Sequence, residues 1–135
     1  MTAGWDRPVA RAALLQASQA NYAAVLTPKD PGGLSHVERA HLAAYIARLS
    51  GDDKLAAAYA MSAGGVPALN PRMAAIMRHT DLVTRSPRDA TAADIAALQS
   101  AGVTQADIVR LSQLIAFVSY QVRVIAGLRL MEAAA

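Results

Sequence analysis

Helix punctuation recurs along this chain, and no segment alternates apolar and polar residues with the period of a strand. A hydroxyl residue followed three positions later by a carboxylate occurs at Ser35/Glu38, Thr91/Asp94 and Thr104/Asp107. At that spacing the first side chain accepts from a backbone N–H inside the new helix, while the acid reaches back to the N–H of the cap residue. Asp6–Pro8 and Asn70–Pro71 add two starts of another kind, a cap followed by a proline in the first turn. Pro28 to Gly33, Gly51, the Gly64–Pro67 stretch, Pro87 and Gly102 supply the stops. This pattern predicts an all-α chain of about six helices.

The apolar positions agree with those boundaries. Val9, Ala12, Leu15, Tyr22 and Val25 line one face of a first helix, with Ser18 in the gap. A second helix opens at Ser35, runs through Leu42, Ile46 and Leu49, and stops at Gly51; a third covers about 53–62. The fourth carries Met73, Ile76, Met77 and Val83, and a short fifth lies between Thr91 and Gly102. The last helix places Ile108, Leu111, Ile115, Val118, Val122 and Ile125 at steps of three and four, and Leu114, Phe117 and Leu128 widen the stripe. A helix so apolar is expected to be buried on more than one face, at the centre of the domain or between subunits. The chain divides into an N-terminal helix and loop, 1–31, and a helical domain, 32–135, which together form one compact unit at this length of 135 residues.

Apolar residues make up 54% of the chain and aromatic residues only 4%, so the core must be built from small aliphatic side chains. Thin Ala-rich helices need neighbours, which favours oligomerisation. The formal charge of +3 is scattered, without the basic run that a nucleic-acid surface needs. The absence of cysteine excludes disulfides, zinc thiolates and thiol-based catalysis. It agrees with a cytoplasmic location, as does an N-terminus whose Trp5 and Asp6 do not resemble a signal peptide. Gln113, Gln121, Arg123 and Arg129 interrupt the Leu111–Leu130 stretch, so it is read as part of a soluble protein and not as a membrane span.

Three constellations bear on chemistry. His36, Glu38 and His41 lie on the second helix, but the histidines are five apart instead of the four that brings both onto one metal. Glu38 is therefore read as the partner of Ser35 in a cap, and no metal is expected. His79 stands alone on the fourth helix, either as a satisfied polar residue or as a proton-transfer group. Asp94 to Leu111 has the outline of a helix-turn-helix, yet the helix that would read bases carries only Arg110 as a basic residue in its first turns. A tight helical hairpin is the preferred reading, with DNA binding as a remote alternative.

Two stretches resemble the carboxymuconolactone-decarboxylase / alkylhydroperoxidase-D-like superfamily, and more closely its peroxidase-related branch. Leu34 to Tyr59 (LSHVERAHLAAYIARLSGDDKLAAAY) looks like that family's Leu-x-x-x-Glu-Arg opening and alanine-rich helix. Leu82 to Leu130 is similar to its Thr-x-x-Pro, Asp-Ile-x-x-Leu, Ala-Gly-hydrophobic and Arg-x-x-x-Gly-Leu series. In redox members of the family a glutamate is followed twelve, fifteen and nineteen residues later by Cys, Cys and His. Counted from Glu38, those positions hold Ser50, Asp53 and Ala57; Ser50 and Asp53 form either an altered active site or a helix end and cap, and Asp53 after Gly51 is well placed for a cap.

The resemblance thus implies a cysteine-free subgroup without the dithiol–disulfide couple, since that couple needs two sulfurs. It implies an oligomer, or a pairing with a cysteine-bearing relative. The alternative it implies is an acid/base enzyme acting on a small carboxylate or lactone, needing no cofactor, with Glu38, His79, Tyr120 and Arg123 as candidate catalytic residues. Tyr120 and Arg123 share a face of the last helix. An arginine on so apolar a helix needs an ion pair with Glu38 or Asp53, a small acidic metabolite, or an interface.

Overall fold

The computed structural model describes residues 19–134, and within them it is helical with no strand. The expected first-helix positions Asp6 to Ser18 lie outside the described residues. Residues 19–26 form α1, which ends before Pro28. There follow α2 (His36–Leu49), α3 (Asp53–Ser62), α4 (Pro71–Arg85), a short 3-10 turn at Pro87–Asp89, α5 (Ala92–Ser100) and α6 (Gln105–Ala134). The architecture is the single all-α domain that the cap spacing predicts.

Among the described helices, α2, α4 and α5 start at their predicted cap residues, and α3 does not. Ser35 Oγ accepts from Glu38 N at 3.1 Å, and Ser35 N donates to Glu38 Oε1 at 3.0 Å, a complete capping box. Asn70 Oδ1 accepts from Met73 N at 2.8 Å with Pro71 in the first turn. Thr91 donates both its N–H and its hydroxyl to Asp94 Oδ2, at 2.7 and 3.0 Å. The cap of α3, however, is Asp52 and not Asp53: Asp52 Oδ1 accepts from Leu55 N at 3.0 Å, while Asp53 is already helical and exposed. Gly51 at φ +86° and Gly102 at φ +93° turn the chain after α2 and α5, in a region that L side chains enter only with strain.

α2 is the hub, packing on α3, α4 and α6. Leu42, Ala43, Ile46 and Ala47 are fully buried there, against Met73 and Ile76 of α4 and Leu111, Leu114 and Val118 of α6. Each of the large aliphatic side chains contributes about 2 kcal/mol on burial, against about 1 kcal/mol for a cap, so packing outweighs punctuation in holding the bundle. From α1, Tyr22 stacks on Tyr59 at 6.2 Å between ring centres and meets Phe117 edge-on at 6.3 Å.

The last helix departs from expectation. Only its first half is core: Ile108, Leu111, Leu114, Ile115 and Val118 are buried, and beyond Ser119 no residue is. Leu128, expected to widen the buried stripe, is exposed; so are Tyr120, Val124, Leu130 and Met131. The reason is length. Thirty residues make a rod of about 45 Å, whereas α2 and α4 are 14 and 15 residues long and cannot cover it. By length and composition alone α6 could also cross a membrane. The part outside the core, residues 119–134, is shorter than the ~20 residues a span requires and carries Arg123 and Arg129.

Candidate functional site

The four candidate catalytic residues do not converge. Glu38 sits in the first turn of α2, where it completes the cap and takes an ion pair from Arg72 Nη1 at 2.7 Å, its side chain mostly shielded. Arg72 also donates to the carbonyl of Gly33. This corrects the expected pairing: Glu38 belongs to Arg72 of α4 and not to Arg123. His36 hydrogen-bonds the carbonyl of Pro28 at 2.8 Å, so two of the three residues of the His36, Glu38 and His41 string serve the loop and the cap.

The three positions that the resemblance sets against redox residues, Ser50, Asp53 and Ala57, fall at the α2–α3 junction. Ser50 is the C-cap of α2, donating its N–H to Ile46 O at 2.9 Å. Asp53 opens α3, and Ala57 lies one turn further along it; all three residues are exposed. Among the described residues neither the Ser50 nor the Asp53 side chain makes a hydrogen bond or an ion pair. The other expected partner of Arg123 is corrected here too: Asp53 makes no ion pair among the described residues, and it is the buried carboxylate of Asp52 that meets Arg129, at 3.7 Å.

Tyr120 is half exposed on α6, and Arg123 donates to the carbonyl of Ser119 on its own helix at 3.2 Å. Arg123 does share a cavity of about 350 Å³ with Ser50, alongside Thr84 and Arg85. That cavity brings together Arg123, a candidate catalytic residue, and Ser50, one of the three positions named by the resemblance.

His79 occupies a separate cleft of about 280 Å³ between α4 and α5, walled by Ala75, Leu82, Ala97 and Leu98 with Arg78 and Asp94 at its polar side. The side chain is 7% exposed, and its Nδ1 is buried without a hydrogen-bond partner among the described residues. Burial lowers its pKa from the ordinary 6.5, and the negative charge of Asp94 opposes that shift. Asp94 is itself held below the usual carboxylate value, chiefly by the backbone N–H of Thr91 and then by its hydroxyl. A neutral imidazole with a free ring nitrogen beside an ionised carboxylate can accept or relay a proton.

Two polar centres escaped the sequence reading. Arg39 is 2% exposed, and its guanidinium donates to Leu34 O, Val25 O and Pro31 O, each at 2.8 Å, tying α1 and the 28–34 loop to α2. Asp107 was expected to cap α6 reciprocally. It does donate its N–H to Thr104 Oγ1 at 3.2 Å, but its carboxylate turns away to accept from Gly33 N at 3.0 Å and Arg110 Nη1 at 2.9 Å. Burial alone would raise the Asp107 pKa; the hydrogen bonds from Gly33, Arg110 and Thr104 outweigh it and hold the group below the usual value. Because Asp107 and Arg110 are engaged in that tether, the first turns of α6 offer little to a DNA groove. A cysteine-free Glu-Arg pair beside a Pro-Gly-Gly loop is the signal that could have revealed Arg39, since such a loop leaves carbonyls in need of donors.

The fold is similar to that of an uncharacterized peroxidase-related protein from Silicibacter sp. TM1040, with a TM-score of 0.67 and 22% identity, covering 86% of this chain and 68% of the other. No family model matches the sequence, and no curated protein matches it in sequence. The chain therefore has the all-α architecture of a peroxidase-related protein.

Proposed function

We propose that this chain is a redox-silent member of the carboxymuconolactone-decarboxylase / alkylhydroperoxidase-D-like superfamily. In this reading it acts in the cytoplasm as an oligomeric or partner-binding subunit, without dithiol peroxidase activity of its own. The observation that carries the redox part is the α2–α3 junction. Ser50, Asp53 and Ala57 stand where the redox members have their thiols and histidine, and no cysteine exists elsewhere in the chain to replace them.

The subunit part rests on α6. Tyr120, Val124, Leu128 and Met131 follow one another at steps of four, four and three, so they form one exposed apolar stripe on the half of the helix that leaves the core. In this reading the stripe is covered by a second copy or by a cysteine-bearing relative of the same fold. The test is the solution mass by light scattering during size-exclusion chromatography, with peroxide consumption assayed on the same fractions. A multiple of 14.1 kDa, or co-elution with a relative from the native cell extract, is expected, and no dithiol-dependent turnover. A lone monomer without a partner would overturn the subunit reading, and dithiol-dependent turnover the redox-silent one.

The second reading, an acid/base enzyme acting on a small carboxylate or lactone, is favoured by the buried, unpartnered Nδ1 of His79. On this reading His79 is the proton-transfer group, and Glu38, Tyr120 and Arg123 are not in reach of the same substrate. A His79→Gln variant that keeps full turnover of such a substrate would remove it.

A further inference from the structure

The cavity shared by Ser50 and Arg123 is formed where two helices end against the middle of a third. Leu49 and Ser50 come from the end of α2, Thr84 and Arg85 from the end of α4, and Ser119 and Arg123 from α6. Among the described residues two guanidinium groups and three hydroxyls line it, and no carboxylate does.

Its donors are under-used. Arg85 has only a loose contact with Asp81, 3.9 Å between exposed groups one turn apart. Arg123 commits one N–H to the carbonyl of Ser119. Thr84 Oγ1 is buried and makes no hydrogen bond among the described residues. A helical threonine ordinarily returns its hydroxyl to the carbonyl four residues back, as Thr80 does to Ile76 at 2.7 Å on the same helix.

The helix ends act against an anion, because each C-terminus carries about half a negative charge. Two such ends cancel about one of the two guanidinium charges, which leaves the cavity positive. Complementing the dipole of α4 accounts for Arg85, in its last turn, but not for Arg123, which lies eleven residues before the end of α6.

We propose that this cavity binds the phosphoryl group of a small molecule. The donors approach from three helices and so from different directions. A carboxylate presents its oxygens in one plane, whereas a phosphoryl group presents them around a tetrahedron and can engage both guanidinium forks and the hydroxyls together. Leu49 and Val122 form an apolar wall suited to the carbon portion of the ligand. The proposal is independent of the subunit reading.

Phenyl phosphate is the probe, with benzoate as the planar counterpart. Titrated into the full chain and followed by amide NMR, phenyl phosphate should shift the resonances of Ser50, Thr84 and Val122 saturably and leave those of Ala97 and Leu98, in the His79 cleft, unmoved. Arg123→Met should weaken binding by about tenfold or more, the loss of a charge-assisted contact, with Arg123→Lys intermediate. Both changes are at an exposed side chain, and the amide spectrum of each variant reports its fold. Absence of saturable shifts in the unmodified chain would overturn the proposal. So would equal affinity in a folded Arg123→Met variant, or benzoate binding as tightly as phenyl phosphate. The mass of the assembly, read separately, bears only on the subunit reading.

Discussion

Glu38 Oε2 and Arg72 Nη1 lie 2.7 Å apart, joining the first turn of α2 to the first turn of α4 across 34 residues of sequence. The same glutamate closes the Ser35 capping box, and the same guanidinium holds the carbonyl of Gly33. Glu38, the residue that best matched a family catalytic position, is thereby a structural junction in this chain. Its carboxylate is already engaged by a cation and a backbone donor.

Replacing Glu38 should therefore register as stability. Glu38→Gln can keep the hydrogen bond from Ser35 N but loses the ion pair, at an expected cost of about 1 kcal/mol. Glu38→Ala loses the cap as well and should cost about 1 kcal/mol more. Urea unfolding of both variants, in a double-mutant cycle with Arg72→Met, measures the coupling. A coupling energy near zero would show that the pair contributes nothing.

Arg39→Met should be among the most damaging single changes. It leaves the carbonyls of Leu34, Val25 and Pro31 without their donor inside the bundle, and the cost should reach about 3 kcal/mol or more. Arg39→Lys should recover little of this, because one ammonium cannot reach three carbonyls held in a fork. Chemical denaturation with an unchanged slope is the readout.

The titration of His79 sets an acid-side slope. Its pKa is lower in the folded chain than the ordinary 6.5, so the unfolded state takes up a proton first as the pH falls. Its stabilising contribution is complete above about 6.5 and is lost progressively as the pH falls toward the folded value. Asp107 is lowered as well, but its contribution is lost only below the carboxylate value of 3.8, so the windows are separate. A melting-temperature series from pH 7.5 to 4.5 should slope downward in the unmodified chain and flatten in His79→Gln. An equal slope in both would assign the acid sensitivity elsewhere.

The exposed stripe on α6 makes a prediction about assembly. Leu128→Glu together with Met131→Glu should reduce the solution mass toward 14.1 kDa while the helical circular dichroism is retained, because neither side chain belongs to the core. Loss of helicity along with the mass would mean instead that the stripe is needed within one chain.

A buried position gives the contrast. Leu114→Ala, at a side chain with no exposure, should cost about 2–5 kcal/mol through lost transfer energy and an unfilled cavity. Unfolding by urea should show it without any change in assembly.

The helix starts were legible in the sequence because they are local: Ser35 and Glu38, Asn70 and Met73, Thr91 and Asp94 meet within one turn, and the backbone dictates the spacing. The all-α class followed from them, and the aliphatic stripes of α2, α4 and the first half of α6 marked most of the core. What only the tertiary structure decided is where each charge finds its partner. Asp107 has the cap spacing and yet bonds Gly33, 74 residues away; Asp52 and not Asp53 caps α3; Glu38 meets Arg72 and not Arg123. Periodicity likewise marked all of α6 as apolar but carried no information on how far its neighbours reach. Caps and periods are set by neighbours a few residues apart, whereas ion pairs, clefts such as that of His79 and the end of the buried stripe depend on distances that the packing of separate helices creates.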